Sequence, residues 1–308
     1  MTSMLDRPLK PRTFPGLGWH RRIANNVATV LVTLSMGVAL TPLVWVLCSV
    51  IGKGFKAVTS SDWWTQSQAG ATAFVAGGGA YHAVVGTVLQ GLLCVAIAIP
   101  IGLFVAIYLV EYGGDSVLAR LVSFAVDILT GVPSVVAALF IYALWVETFG
   151  LPRSQLAVAL ALVLLMLPVI VRATEEMLRI VPVDLREASY ALGVPKWKTI
   201  ARIVIPTGLS GIVTGIFLAV ARVLGETAPL LILVGYSRAI NFDVGSGSMA
   251  SLPGMMYDEV AAGAGTNPVL TDRLWGTALT LILVIAVINI GARAAARRFA
   301  PTSRRQEL

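Results

Sequence analysis

Apolar residues run along this chain in long unbroken stretches, not in strand-like alternation. Six stretches, at approximately 24–51, 83–110, 121–146, 155–172, 208–235 and 274–296, approach or exceed the roughly 20 residues that a helix needs to cross a bilayer. An all-α membrane protein of six transmembrane helices is therefore expected, not a barrel. The chain divides into an N-terminal tail (1–22), a transmembrane domain (23–298) that includes a long polar loop (173–207), and a C-terminal tail (299–308). The first apolar run is too long for a cleavable leader and leads into no soluble chain, so it counts as the first span.

The polar loop has its own pattern. Pro182 ends the preceding helix and Asp184 is placed to cap a new one. Leu185, Ala188, Ser189 and Leu192 then fall on one narrow face at i, i+3, i+4 and i+7. Gly193 offers a left-handed stop, and Pro195 suits the first turn of a second helix. That helix places Trp197, Ile200, Ala201 and Val204 on one face, and Pro206 closes it before the fifth span. Two amphipathic helices around a glycine turn expose a face that something must cover, either lipid headgroups or a soluble partner.

Composition agrees with a bilayer solvent. Of 308 residues 57% are hydrophobic and 13% charged, and the mean hydropathy is +0.83. No soluble fold of this length could hide so much apolar surface. With both termini cytoplasmic, seventeen Lys and Arg residues fall on inner segments and five on outer ones, Lys53, Lys56, Arg153, Arg238 and Arg273. The net charge of +7 is thus a topology signal and an attraction to anionic lipid, and it calls for no nucleic acid. Cys48 and Cys94 lie in apolar spans without metal or redox spacing and read as packing residues. His20 and His82 are assigned to terminal or loop segments, and neither supports a metal site. In the outer loop near 52–82, Trp63 and Trp64 read as interfacial anchors and Gly77-Gly78-Gly79 as flexible chain. In the outer loop near 236–273, the patch Leu252 to Tyr257 is expected to fold back at the bilayer edge as a short helix.

Arg222 falls near the centre of the fifth predicted span, where a lone arginine costs about 2.5–3.5 kcal/mol. Glu226, four residues on, shares its face and can pair with it. Gly211, Gly215 and Ala219 line the same side, so another helix can approach closely. Midplane charges of this kind mark a solute path, and a guanidinium matches the oxygen pairs of an oxyanion. The alternative is an ion pair that only locks two helices together. Pro229 removes a donor and is placed to open a kink there. Asp127 precedes Thr130-Gly131-Val132-Pro133-Ser134 in the third span, a run that predicts a kinked helix with Thr130 and Ser134 near a cavity. An aspartate snorkelling to water beside a packing kink is the other reading.

Glu187-Ala188-Ser189-x3-Gly193-x9-Ile203-x-Ile205-Pro206 resembles the E-A-A-x3-G-x9-I-x-L-P coupling loop of binding-protein-dependent ABC importer permeases, with Ser189 for alanine and Ile205 for leucine. Ala221-Arg222-Val223-Leu224-Gly225-Glu226-Thr227-Ala228-Pro229-Leu230, Thr130 to Val136 and Tyr108-Leu109-Val110-Glu111-Tyr112 resemble the phosphate-specific transport permeases, the last stretch those of A type. The resemblance covers approximately residues 83–295. It implies a type I ABC importer fold in the plasma (inner) membrane. It also implies a sister permease as heterodimer partner, two copies of a P-loop ATPase and an extracytoplasmic phosphate-binding protein. Glu187, Ala188, Ser189, Gly193, Trp197, Ile203 and Pro206 would then contact the ATPase, and Arg222, Glu226, Asp127, Thr130 and Ser134 would line the path for inorganic phosphate.

This chain has no phosphate-binding loop of its own, since Gly52-Lys53-Gly54 is not G-x-x-x-x-G-K-[ST]. No cofactor is expected here; ATP and Mg would sit on the partner ATPase, and the chain is not itself an enzyme. Three other readings compete. The coupling loop alone would allow another oxyanion, molybdate or sulfate. A channel or ion-coupled transporter gated by Arg222 and Glu226 leaves 182–206 unexplained. An intramembrane enzyme built on Ser246 or Ser248 lacks a base to activate them.

Overall fold

In a computed structural model of the chain, which describes residues 18–75 and 77–299, every regular element is helical. Helix α1 (Trp19–Val58) runs for 40 residues. Its part before Val50 belongs to a unit of its own, exposed along residues 18–48. The second unit begins at Val50 and holds the rest. It contains α2 (Ser61–Thr65), α3 (Tyr81–Ile107), α4 (Val117–Thr130), α5 (Ser134–Ile141) and α6 (Gln155–Ile180). These are followed by α7 (Val183–Ala191), α8 (Lys196–Thr199), α9 (Ile205–Val223), α10 (Ala228–Leu233), α11 (Leu252–Ala261) and α12 (Pro268–Phe299). Wider π turns cover Tyr108–Tyr112, Tyr142–Thr148 and Ile200–Val204. Of the expected tails, residues 19–22 and Phe299 already belong to helices, and 1–17 and 300–308 lie outside the described residues.

Helix α6 is the centre of this unit: 61% of its most apolar window is buried, against 22% for α3, α9 and α12. Ala157, Ala161, Leu162, Met166 and Ile170 pack there with Cys94 and Ala98 of α3 and Ala219 and Val223 of α9. The glycine strip of α9 works as its spacing predicts. A Cβ on Gly211 would lie 2.0 Å from Met177 Sδ, and one on Gly215 2.5 Å from Ala173 Cβ, so only glycine lets α9 come this close to α6.

Among the described residues, five helices are long and apolar enough to cross a membrane, or six if α4 with α5 and its π turn is one span. That pair is bent by 111°, much more than a kink. Pro133 carries no amide to continue α4, and with φ −62° and ψ 143° it begins α5 in a new direction. The fifth span also departs from expectation. It starts at Lys196, ahead of residue 208, and stops at Val223. Pro229 sits in the first turn of the separate helix α10, so the chain breaks completely over 224–227 where a kink was predicted.

Outside the spans, α11 forms where the patch from Leu252 predicted a helix, capped by Ser251 Oγ accepting from Gly254 N at 3.1 Å. Leu252 and Met255 pack with Trp63, Ala80 and Ala83. Trp63 is therefore a core residue, not an interfacial anchor, and its Nε1 donates to Thr280 Oγ1 at 2.8 Å. Gly77 is tied down as well, its carbonyl accepting from Arg273 Nη2 at 2.7 Å. His82 lies buried in the first turn of α3, not in a loop. Its Nε2 is 2.9 Å from the Tyr236 hydroxyl. Cys94 is buried and packs as expected, whereas Cys48 is exposed.

Candidate functional site

The loop between α6 and α9 folds as a helical hairpin. Pro182 takes the N-cap position of α7, so Asp184 lies inside the first turn, where its charge suits the free amides without capping them. Gly193 has φ +73°, and a Cβ at this position would meet only open space, so it is the left-handed backbone and not crowding that calls for glycine at this stop. Pro195 is the N-cap of α8, one position earlier than expected. Pro206 does not close the second arm. The helix passes through the Ile200–Val204 π turn into α9, with Pro206 in the first turn of α9.

The two arms present a different face from the one that periodicity predicts. Ser189 points inward, buried, and its Oγ lies 2.8 Å from Thr199 Oγ1, which pins one arm to the other. Ile200 and Val204 are buried and Ile203 is half-buried. Glu187, Ala188, Ala201 and Pro206 are exposed, together with large apolar groups. Leu192 is 83% exposed and Trp197 66%, with Val183, Leu185 and Tyr190 also uncovered. The chain by itself leaves this apolar surface at the end of the polar hairpin uncovered.

The hairpin is fastened to the end of α3 by residues that sequence reasoning did not single out for this role. Arg186 Nε and Nη2 donate to Glu111 Oε1 at 3.1 and 2.9 Å. The same guanidinium reaches the carbonyls of Val181 (2.6 Å) and Leu178 (2.8 Å), which α6 leaves free at its end. The other arm adds Lys196, whose Nζ donates to the Glu111 carbonyl and lies 4.8 Å from the Tyr112 ring centroid. The clue in sequence was Glu111, a carboxylate directly after an apolar span, although nothing there names its partners.

The path candidates fall into two groups. Arg222 is in the last turn of α9 and exposed, not at the centre of a span. Glu226 is half-buried beyond the helix end. Because α9 stops at Val223, with Gly225 N bonded to Arg222 O and Glu226 N to Val223 O, the four-residue spacing no longer puts the two on one face. They form no ion pair with each other, and Arg222 makes no side-chain hydrogen bond among the described residues. The expected compensated unit is absent from this conformation.

Asp127, by contrast, is paired. It accepts from Arg172 of α6, which also donates to Ser123 Oγ (2.9 Å) and Glu175 Oε2 (2.5 Å). Arg179 completes the network on Glu175 Oε1 at 2.7 Å. The i, i+3, i+7 spacing of Arg172, Glu175 and Arg179 was legible beforehand, but their meeting with α4 was not. Thr130 and Ser134 flank the 111° break. Thr130 is exposed, its Oγ1 donating to the Asp127 carbonyl at 2.6 Å, and Ser134 is half-buried in the first turn of α5.

A second polar cluster joins Gln68, Tyr236 and Glu259. Gln68 Nε2 donates to Glu259 Oε1 at 2.5 Å, and the Tyr236 hydroxyl donates to Gln68 Oε1 at 2.9 Å. Burial pushes the Glu259 carboxyl up, against the pull of Gln68 and Arg273, and burial likewise raises the Tyr236 phenol. No group of His, Cys, Asp and Glu among the described residues could hold a metal ion.

Comparison with known proteins gives this geometry a family. Residues 98–305 match the family described as "Binding-protein-dependent transport system inner membrane component". The phosphate transport system permease protein PstA 1 of Mycobacterium tuberculosis (strain ATCC 25618 / H37Rv) is 56% identical over 304 residues, 98% of this chain and 96% of that protein. The phosphate transport system permease protein PstA of Yersinia pestis is 38% identical over 273 residues, 89% and 90% of the two chains. The chain belongs to the PstA permease family. A solved bacterial alginate ABC transporter, in complex with an alginate pentasaccharide-bound periplasmic protein, superposes with a TM-score of 0.65 at 14% identity over 92% of this chain and 98% of that one. An inward-facing MetNI methionine ABC transporter gives 0.56 at 18% identity over 72% and 94%. At such identities these two matches establish the fold, that of a type I ABC importer permease. As a PstA permease with helices long and apolar enough to span a bilayer, the chain is an integral membrane protein.

Proposed function

We propose that this chain is a permease subunit of an ATP-driven importer of inorganic phosphate in the plasma (inner) membrane. The observation that carries the reading is the 56% identity, along nearly the whole of both chains, to a permease named for phosphate transport. The exposed hairpin supports its mechanical half. Leu192, Trp197, Glu187 and Ala188 dock on one of two copies of a P-loop ATPase, with Gly193 setting the turn between the arms. Ile203 and Pro206 carry the motion into α9, and Ser189 keeps the two arms together from inside. ATP and Mg are held by that partner.

The path is enclosed together with a sister permease, and an extracytoplasmic phosphate-binding protein delivers the solute. Arg222, exposed and without a counter-charge of its own, offers the guanidinium that an oxyanion needs. Glu226 nearby limits how long the anion stays. Asp127, Thr130 and Ser134 line the approach at the break between α4 and α5, with Asp127 held by Arg172. ATP binding must favour one of two bundle states by several kcal/mol to invert their populations. The test is phosphate accumulation by the complex in proteoliposomes, with and without ATP and the binding protein. Accumulation that needs both supports the reading. Uptake without ATP points to a channel or ion-coupled transporter, and competition by molybdate or sulfate at equal concentration points to another oxyanion.

A further inference from the structure

Glu111 stands where the two arms of the hairpin meet the end of α3. The hairpin is covalently continuous with α6 at one root and with α9 at the other, but α3 must be reached across space. At the roots an apolar cluster joins Val181 and Val204 to Leu103, Ile107 and Val110. Such contacts are non-directional and allow sliding. The arms themselves are gripped by directional, charge-assisted bonds, and these converge on one residue. Arg186 from α7 takes the Glu111 carboxylate, and Lys196 from α8 takes its carbonyl. The side chains of Glu111 and Arg186 are only 5% and 14% exposed, so water competes little for the pair. Glu111 also lies inside the Tyr108–Tyr112 π turn, a wide turn of a sort frequent at functional sites.

Helix α3 then carries a displacement far. Its 27 residues reach about 40 Å at the usual helical rise. At the other end His82 joins Tyr236, Gln68 and Glu259 of the outer loops. Helix α3 thus connects Glu111 both to the bundle around α6 and to the cluster at its far end.

We propose that Glu111 is a positioning residue for transport: its carboxylate binds the coupling hairpin to α3, and through it hairpin movement becomes movement of α3. The proposal rests on the reading of the chain as an ATP-driven importer subunit.

The experiment reconstitutes the whole complex in proteoliposomes and measures phosphate accumulated per ATP hydrolysed. A stability defect lowers both quantities together and leaves their ratio alone; loss of transmission lowers the ratio. Glu111→Gln, which keeps shape and one acceptor but removes the charge, is expected to lower the ratio about tenfold while ATP is still hydrolysed. Glu111→Asp restores part of it. Lys196→Met, which leaves the buried pair in place, is expected to lower the ratio about fivefold. An intact Glu111→Gln complex with a ratio within about twofold of wild type overturns the proposal. Should that variant fail to assemble, an unchanged ratio in Lys196→Met and Glu111→Asp overturns it equally. If the wild-type complex itself accumulates no phosphate with ATP, the importer reading has failed, a result distinct from a wild type that transports beside variants that couple normally.

Discussion

Two arginines, one in the hairpin between α6 and α9 and one at the far end of the fifth span, behave in opposite ways. Arg186 is half-buried and satisfied within the chain, by one carboxylate and two helix-end carbonyls. Arg222 is exposed and has no partner among the described residues, and the carboxylate four positions on has been carried off its face by the end of α9. The same side chain is therefore a fastener in one place and an open valence in the other. A guanidinium satisfied by its own chain holds shape; one left open must find its counter-charge in water, in another subunit or in a solute. Sequence spacing had paired the arginine of the apolar run with Glu226 and had singled out no role for the one in the polar loop.

Removing each arginine should separate the two roles. Arg222→Ala is expected to reduce ATP-dependent phosphate uptake to background while the complex still purifies intact and melts as wild type; unimpaired uptake would deny Arg222 its place in the path. Arg186→Met should do the reverse in kind. It leaves the buried Glu111 unpaired, at a cost of about 3–5 kcal/mol, and should lower the melting temperature and impair assembly. A melting curve unmoved by that change would show that the fastener is dispensable.

Smaller effects sharpen the picture. Gly193→Val forces a β-branched residue into φ +73°, at about 1–2 kcal/mol, and should weaken ATPase recruitment more than bundle stability, as read by co-purification against thermal melting. The smallest effect concerns the cluster of Gln68, Tyr236 and Glu259. Glu259 holds its proton more tightly in the folded protein than in the unfolded chain. Its contribution to stability is thus fully present below the ordinary carboxylate pKa and is lost as pH rises through the raised value. Glu259→Gln should raise the melting temperature slightly at pH 7 and flatten this part of the pH dependence; an unaltered pH profile would remove the assignment.

Much of the architecture was legible because a bilayer imposes simple rules. Apolar length marks spans, and Gly193 between two amphipathic runs marks a turn, since both depend on residues near each other in sequence. The misreadings share a cause. Trp63 looked like an interfacial anchor, and Ser189 looked like part of an outward face. Each is decided by a residue far away, Thr280 for Trp63 and Thr199 across the hairpin for Ser189. Pro229 and Pro133 were read as kinks. A proline says only that one amide is missing, and the packing of the next segment determines whether the helix bends or ends.

By itself, the sequence determined the solvent of this protein, its helical class and the hairpin with its glycine stop. These follow from local periodicity and from the cost of exposing backbone to lipid. Only the tertiary structure decided which charges meet. The Arg186–Glu111 and Arg172–Asp127 pairs join positions 75 and 45 residues apart, and such partners are chosen by how whole helices pack, a relation that no window along the chain contains.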